Sequence, residues 1–115
     1  GVDFPIFRFA DILLMKAEAL WQQNYGSQEA LDLVNRIRTR AGVAELGSLT
    51  ADDLLAERGR ELFYEGWRRN DLIRFGKWGD EWDFKPASSP DKEIFPIPQN
   101  KINVNPNLKQ NPSYQ

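Results

Sequence analysis

Residues 57–76 read ERGRELFYEGWRRNDLIRFG, a run in which large apolar and fully charged side chains alternate too closely to be separated onto different elements. Leu55, Leu62, Phe63, Trp67, Leu72, Ile73 and Phe75 call for a dry interior, yet Glu57, Arg58, Arg60, Glu61, Glu65, Arg68, Arg69, Asp71 and Arg74 are threaded among them. Burying the first set draws several of the second toward low dielectric, where an unpaired charge is expensive and a paired, hydrogen-bonded one is tolerable. The stretch therefore predicts an ion-pair lattice at the seam between two helices, formed by Glu57, Arg58, Glu61, Glu65, Arg68, Asp71 and Arg74.

Spacing supplies pairs three or four residues apart on a helical surface: Arg58 with Glu61, Glu65 with Arg68 or Arg69, Arg68 with Asp71, and Asp71 with Arg74. Asp53, Glu57, Glu61 and Glu65 recur every fourth residue, a like-charge row that needs arginines from elsewhere, with Arg8, Arg36, Arg38 and Arg74 as candidates. Arg suits the task because its planar fork engages carboxylates bidentately. The same carboxylates invite a catalytic reading, since glycoside hydrolysis needs two carboxyl groups across a sugar. Each Glu, however, has an Arg close in sequence that lowers its pKa and spoils it as a general acid. No catalytic residue is assigned.

The segment resembles the signature of the SusD/RagB family of outer-membrane nutrient-binding lipoproteins, approximately E-R-x-R-E-L-x-x-E-G-x-R-x-x-D-L-x-R-W-G. Glu57, Arg58, Arg60, Glu61, Leu62, Glu65, Gly66, Arg68, Asp71, Leu72, Arg74 and Gly76 match. Gly59 stands where the family usually carries Arg, and Phe75 where it carries Trp. Gly59 softens a helix by about 1 kcal/mol relative to Ala.

At 115 residues and 41% hydrophobic content, the chain has one domain's worth of sequence and enough apolar surface for a small core. A net charge of −2 with interspersed signs gives no basic footprint for nucleic acid and no polybasic membrane patch. Cysteine and histidine are both absent. That excludes disulfides and the His-dependent triads from this sequence, and leaves only oxygen ligands for a metal. No cofactor is expected. The longest strongly apolar run, Ile12 to Met15, falls far short of the ~20 residues of a membrane span. The opening Gly1-Val2-Asp3-Phe4-Pro5-Ile6-Phe7 shows no signal peptide or lipid-attachment Cys and reads as protein interior, which predicts an excised fragment.

Along the chain, Phe4 to Phe7 is an apolar lead that Pro5 keeps extended. A first helix is expected from about Arg8 to Asn24, with Phe9, Ala10, Leu13, Leu14, Ala17, Leu20 and Trp21 on one broad arc and Arg8, Asp11, Glu18 and Gln22 opposite. Gly26 is the expected left-handed residue after it. Ser27 caps a second helix whose apolar set, Ala30, Leu33, Val34, Ile37 and Ala41, runs to Gly42. Thr50-Ala51-Asp52-Asp53 signals a capping box for a third helix reaching about Tyr64, and a fourth is expected over Arg68 to Lys77. Two successive helical hairpins with small Ala17 and Ala30 at close crossings give a tetratricopeptide-like pattern. The fold class is thus all-α: about four helices over residues 1–78, followed by an irregular segment, 79–115, packed over them in the same domain.

Helical periodicity ends at Trp78. The Pro- and Asn-rich stretch from Phe95 cannot join a central strand, because its prolines lack donors. It resembles the family's closing motif, F-P-I-P-x-x-E-I-x-x-N-P-x-L-x-Q-N-P-G-Y, through Phe95, Pro96, Ile97, Pro98, Ile102, Asn105, Pro106, Leu108, Gln110, Asn111, Pro112 and Tyr114, with Lys101 and Ser113 as departures. Arg8 to Leu20 likewise resembles the family's R-Y-A-E-x-L-L-M-x-A-E-A. The resemblance implies an ordered tail pinned by Phe95, Ile97, Leu108 and Tyr114.

Sugars stack apolar ring faces on aromatics and direct hydroxyls to amides and carboxylates. Trp78 and Trp82, flanked by Asp80, Glu81, Asp83 and Lys85, form the one exposed-looking cluster of that kind. Trp78, Asp80 and Trp82 are the ligand-binding candidates, with packing as their competing role. The acids lack a complete EF-hand spacing, and no metal site is assigned. Trp21 and Trp67 fall within helical patterns and are expected in the core. What the resemblance implies is a non-enzymatic cell-surface lipoprotein of the outer membrane that captures glycans or other nutrients for a TonB-dependent transporter of the SusC type, this segment being its carboxy-terminal scaffold. A generic repeat-type protein interaction module is the second reading, and a carbohydrate-active enzyme the third.

Overall fold

A computed structural model describes residues 6–115; the Phe4-Pro5 part of the apolar lead lies outside them. The chain divides into two compact units, one reaching Phe75 and the other running from Gly76 to Gln115.

The first unit contains α1 (Phe9–Gln23), α2 (Gln28–Arg40), α3 (Ala51–Glu61) and α4 (Arg68–Arg74). Local chemistry sets these boundaries. Ser27 Oγ accepts from Ala30 N–H at the start of α2, and Thr50 and Asp53 close a reciprocal capping box on α3. α2 ends in a Schellman motif: Gly42 N–H donates to Thr39 O, Val43 N–H donates to Arg38 O, and Gly42 supplies the required φ of +73°. Gly26, expected to play that part after α1, does not have positive φ; Asn24 ends the helix in extended geometry and accepts from Gly26 N–H through its side chain.

Ala10, Leu14 and Ala17 of α1, Ala30, Val34 and Ile37 of α2, and Leu49 and Leu54 beside them form the core. Ala17 and Ala30 are both fully buried, and small side chains there let α1 and α2 approach closely. The loop after α2 is tied down by polar contacts as well as by Leu46 and Leu49 against the core. Asn35 exchanges two hydrogen bonds with the Leu46 backbone, and the Trp21 indole donates to Leu49 O. Trp21 is half-buried against the core rather than inside it, and Trp67, also half-buried, meets Phe7 with ring centroids 5.9 Å apart.

α3 and α4 are both shorter than periodicity predicts. α3 stops at Glu61, and Tyr64 turns to φ +64° with Phe63 and Tyr64 left 71% and 90% exposed. Those two rings stack edge-on against each other at 4.5 Å, so the helix has no buried face there to prolong it. α4 ends at Arg74 because Gly76 takes φ +67° two residues later.

The second unit begins with a tight hairpin over residues 79–88, in which Trp82 and Lys85 form an isolated antiparallel bridge. No longer strand occurs among the described residues. Gly79 is needed there: a Cβ would lie 2.9 Å from the Ser88 carbonyl oxygen. Beyond it come two 3₁₀ turns, Pro90–Glu93 and Pro112–Tyr114, and a six-residue helix, α5 (Gln99–Val104), which periodicity did not reveal. The extended residues 94–98 are held by side chains acting as a substitute strand. Gln110 pairs with both the N–H and the C=O of Ile97, Asn111 donates to Phe95 O, and the Tyr114 hydroxyl donates to Ile94 O. Phe95 itself is 71% exposed, and its backbone carbonyl is fastened by Asn111.

Candidate functional site

The charged residues of α3 and α4 gather into three connected groups in the first unit. In the deepest, Arg58, with its side chain 2% exposed, lies between two buried carboxylates. Its Nη1 donates to Asp11 Oδ1 at 3.1 Å and its Nε stands 2.9 Å from Asp71 Oδ2. Asp71 Oδ1 also accepts from Arg74 at 2.9 Å, and Arg74 forks onto both oxygens of Glu18. α1, α3 and α4 are thereby bolted together by one chain of charges. The bonds to Glu18 and then Asp71 raise the Arg74 pKa further above its ordinary value, outweighing burial.

In the second group, Arg8 bonds Glu65 at 2.8 and 2.9 Å and Glu61 at 2.5 Å, and also donates to the Glu61 carbonyl. Arg40 reaches both Glu61 oxygens at 2.6 Å. Burial would push the Glu61 carboxyl up, but the hydrogen bonds from Arg8 and Arg40 overcome it and hold the group below the usual carboxylate value. In the third, Glu57, 3% exposed, accepts from Arg38 at 2.8 Å and Arg60 at 2.7 Å.

Of the pairs suggested by spacing, Asp71 with Arg74 is formed within α4. Arg58 is directed to Asp11 and Asp71 rather than Glu61, and Glu65 is met by Arg8. Arg68 donates to the Leu55 carbonyl across α3, its guanidinium lying where a Cβ on Gly59 would sit at 2.6 Å. The helix-softening glycine thus opens the space the guanidinium occupies. Arg36 stacks over Phe9 at 5.4 Å. Asp11 and Glu18, assigned by the helical wheel to the polar side of α1, are 1% and 6% exposed. That side is not a solvent face; the arginines of α3 and α4 cover it. No sequence signal local to α1 could show this, because the partners lie 47 and 56 residues away.

Glu57 and Glu61 do line an open hollow of about 510 Å³, together with Arg38, Arg60 and Asp53. Glu57, Glu61 and Glu65 each carry at least one guanidinium, and Asp53 is engaged by Thr50. Glu61, held below the usual carboxylate value by its arginines, does not offer the proton that a glycosidic oxygen requires. Among the described residues, no group of three acidic side chains is placed to hold a metal ion.

The ligand-binding candidates come together in the second unit. Trp78 and Trp82 meet edge-on with centroids 6.0 Å apart. Lys85, mentioned in the sequence only as a flanking charge, organises them. Its ammonium donates to Asp80 O, Pro86 O and Ser88 Oγ at 2.9 to 3.2 Å and sits 4.3 Å over the Trp82 ring. Asp80 thus contributes its backbone carbonyl to the cluster, while its carboxylate lies out toward Lys77 at 3.9 Å. Phe84, which sequence reading passed over, stands at the tip of the same hairpin and is 108% exposed.

Comparison with known proteins gives a consistent result. The SusD family model matches residues 1–85 and 75–114. Starch-binding protein SusD of Bacteroides thetaiotaomicron is 34% identical over 123 positions, covering 98% of this chain and 22% of that protein. SusD-like protein P38 of Formosa agariphila is 35% identical over 122 positions, covering 95% and 24%. Among solved structures, surface glycan-binding protein A from Bacteroides uniformis superposes with a TM-score of 0.78 at 32% identity, covering 96% of this chain and 27% of that one. A SusD superfamily protein from Parabacteroides distasonis gives a TM-score of 0.82 at 29% identity over the same shares. The chain therefore spans about a quarter of the length of these relatives. With helical architecture, sequence and family model in agreement, this chain belongs to the SusD family.

Proposed function

We propose that this chain is the carboxy-terminal scaffold segment of a SusD-like protein, a surface lipoprotein of the outer membrane that binds a glycan or other nutrient and passes it to a TonB-dependent transporter of the SusC type. The observation that carries the reading is the alignment of 98% of the chain with a starch-binding protein at 34% identity. The site geometry supports a binding role over a catalytic one: Glu57, Glu61 and Glu65 are bound to arginines, and the sequence contains no His or Cys. The arginine lattice serves to lock α1, α3 and α4, and the aromatic hairpin of the second unit is the surface that meets sugar.

Affinity electrophoresis through soluble starch, xyloglucan and laminarin, run beside a reducing-end assay on the same mixtures, tests this. Retardation without release of new reducing ends is the expected result. Release of reducing ends that is abolished by Glu57→Gln or Glu61→Gln would overturn the binding reading in favour of a hydrolase.

A further inference from the structure

Between Gly79 and Ser88 the chain doubles back on itself. Ser88 N–H donates to Gly79 O at 2.9 Å, and Trp82 and Lys85 exchange backbone hydrogen bonds at 3.0 and 2.8 Å, which leaves Asp83 and Phe84 as a two-residue loop. Phe84 has φ +65°, whereas Asp83 is not in the positive region. A positive φ at the second loop position is what a type II turn requires, and it fits Gly or Asn and strains a bulky residue. Its ring is 108% exposed. A phenyl group in left-handed backbone with no packing contact works against the fold on both counts. Its position does nothing for stability, but it presents an open ring face on a braced support.

The bracing is Lys85, whose ammonium ties Asp80 O, Pro86 O and Ser88 Oγ across the base of the hairpin. The same ammonium lies 4.3 Å over Trp82, which is 44% exposed. One face of Trp82 is thus already taken. The unencumbered aromatic face belongs to Phe84.

Resting on the glycan-binding reading above, we propose that Phe84 is the principal stacking ring of a carbohydrate contact on this hairpin, that Trp82 flanks it, and that the ligand is a neutral oligosaccharide. Protein interfaces bury about 800 Å² on each partner and exclude charge from their centre. Here one ring of about 150 to 250 Å² follows Asp83 in the loop, with Glu81 exposed two residues before Asp83. A pyranose matches that layout, with an apolar face one ring wide and a rim of hydroxyls for the carboxylates. Asp80 faces Lys77, and the Lys85 ammonium is engaged at the base of the hairpin; Glu81 and Asp83 are the charges beside the loop that disfavour uronates and sulfated sugars, which selects the neutral class.

The test is affinity electrophoresis of the wild-type chain and of Phe84→Ala, Phe84→Gly and Phe84→Trp through soluble starch, xyloglucan, laminarin and polygalacturonate, with a urea midpoint for each variant. Wild type is expected to be retarded by at least one neutral polysaccharide. Phe84→Ala and Phe84→Gly should bind it about tenfold more weakly and Phe84→Trp about as well. The urea midpoint of Phe84→Gly should be no lower than that of wild type, since glycine relieves the backbone. Undiminished retardation of Phe84→Ala overturns the role of Phe84 while leaving the glycan reading in place. Retardation by none of the four polysaccharides overturns both readings, and retardation by polygalacturonate alone overturns the neutral class. A lowered midpoint for Phe84→Gly shows the ring to be a packing element and also overturns the proposal.

Discussion

Replacing Arg58 with Met isolates the energetics of the buried lattice. The side chain is 2% exposed, and its removal strips Asp11, itself 1% exposed, of the guanidinium that bonds it among the described residues, while Asp71 keeps Arg74. Breaking a buried pair by deleting one partner costs about 3 to 5 kcal/mol, because the remaining charge stays desolvated. Met preserves much of the volume, so the loss is electrostatic rather than a cavity effect. A domain of this size has about 5 to 15 kcal/mol in total, and the variant should be near the edge of folding. With a urea slope of about 1.5 kcal/mol per molar, the midpoint should fall by about 2 to 3 M.

Arg40→Ala is the internal control. Arg40 is 60% exposed, and its partner Glu61 retains Arg8, so the loss should be below about 1 kcal/mol. Both variants remove one arginine and change net charge equally, so non-specific charge effects cancel between them. Urea denaturation followed by far-ultraviolet circular dichroism reads both. An Arg58→Met midpoint within experimental error of Arg40→Ala would show that burial does not amplify this interaction, and the reasoning would fail.

Glu61 has a folded-state pKa below its ordinary value. Its stabilisation is therefore complete above the unfolded value, about 4.3, and is lost as pH falls from there through the folded value; stability profiles from pH 7 to pH 2 should show a shallower acid limb in Glu61→Gln. Gly59→Ala should change stability by less than about 1 kcal/mol, because the gain in helix propensity is offset by displacing the Arg68 guanidinium from Leu55 O. In an Arg68→Ala background, the same substitution should stabilise by about 1 kcal/mol, and a double-mutant cycle in urea measures the difference. Gly79→Ala sets a Cβ 2.9 Å from the Ser88 carbonyl; the backbone must separate there, and the fluorescence of the Trp78–Trp82 pair should change even where the urea midpoint does not.

What could be read from the sequence is what short-range chemistry decides. The Ser27 cap, the Thr50–Asp53 box and the apolar spacing of α2 act within a few residues, and each lies where the pattern puts it. Asp71 with Arg74 is legible for the same reason. Arg58 is not, since its partners come from another helix 47 residues away and from beyond the loop after α3. A helical wheel separates the faces of α1 but cannot say what covers the charged one, so it places Asp11 and Glu18 opposite the apolar arc without showing that they are buried. Phe84 escaped notice because Asp83-Phe84 lacks the Gly or Asn that announces a positive φ, and α5 because Pro98 and its asparagines signal a loop.

The seven residues of α4 explain why charges stand where apolar side chains could have done as well energetically. Only Leu72 and Ile73 offer it apolar anchorage, and both are half-buried. Two hydrophobic contacts on a helix of two turns leave rotation and sliding weakly opposed, whereas Asp71 on Arg58 and Arg74 on Glu18 fix it at two points on two different helices. Apolar replacement of a buried charge cluster is often neutral or stabilising. The triple variant Asp11→Leu, Arg58→Met, Asp71→Leu should therefore recover most of the stability that Arg58→Met alone loses. If directional bonds set the position of α4, the triple variant should fold with near wild-type urea midpoint but show exchange-broadened amide resonances confined to residues 67–76. Sharp, single resonances there would mean that packing alone seats the helix, and the ion pairs would then be tolerated rather than required.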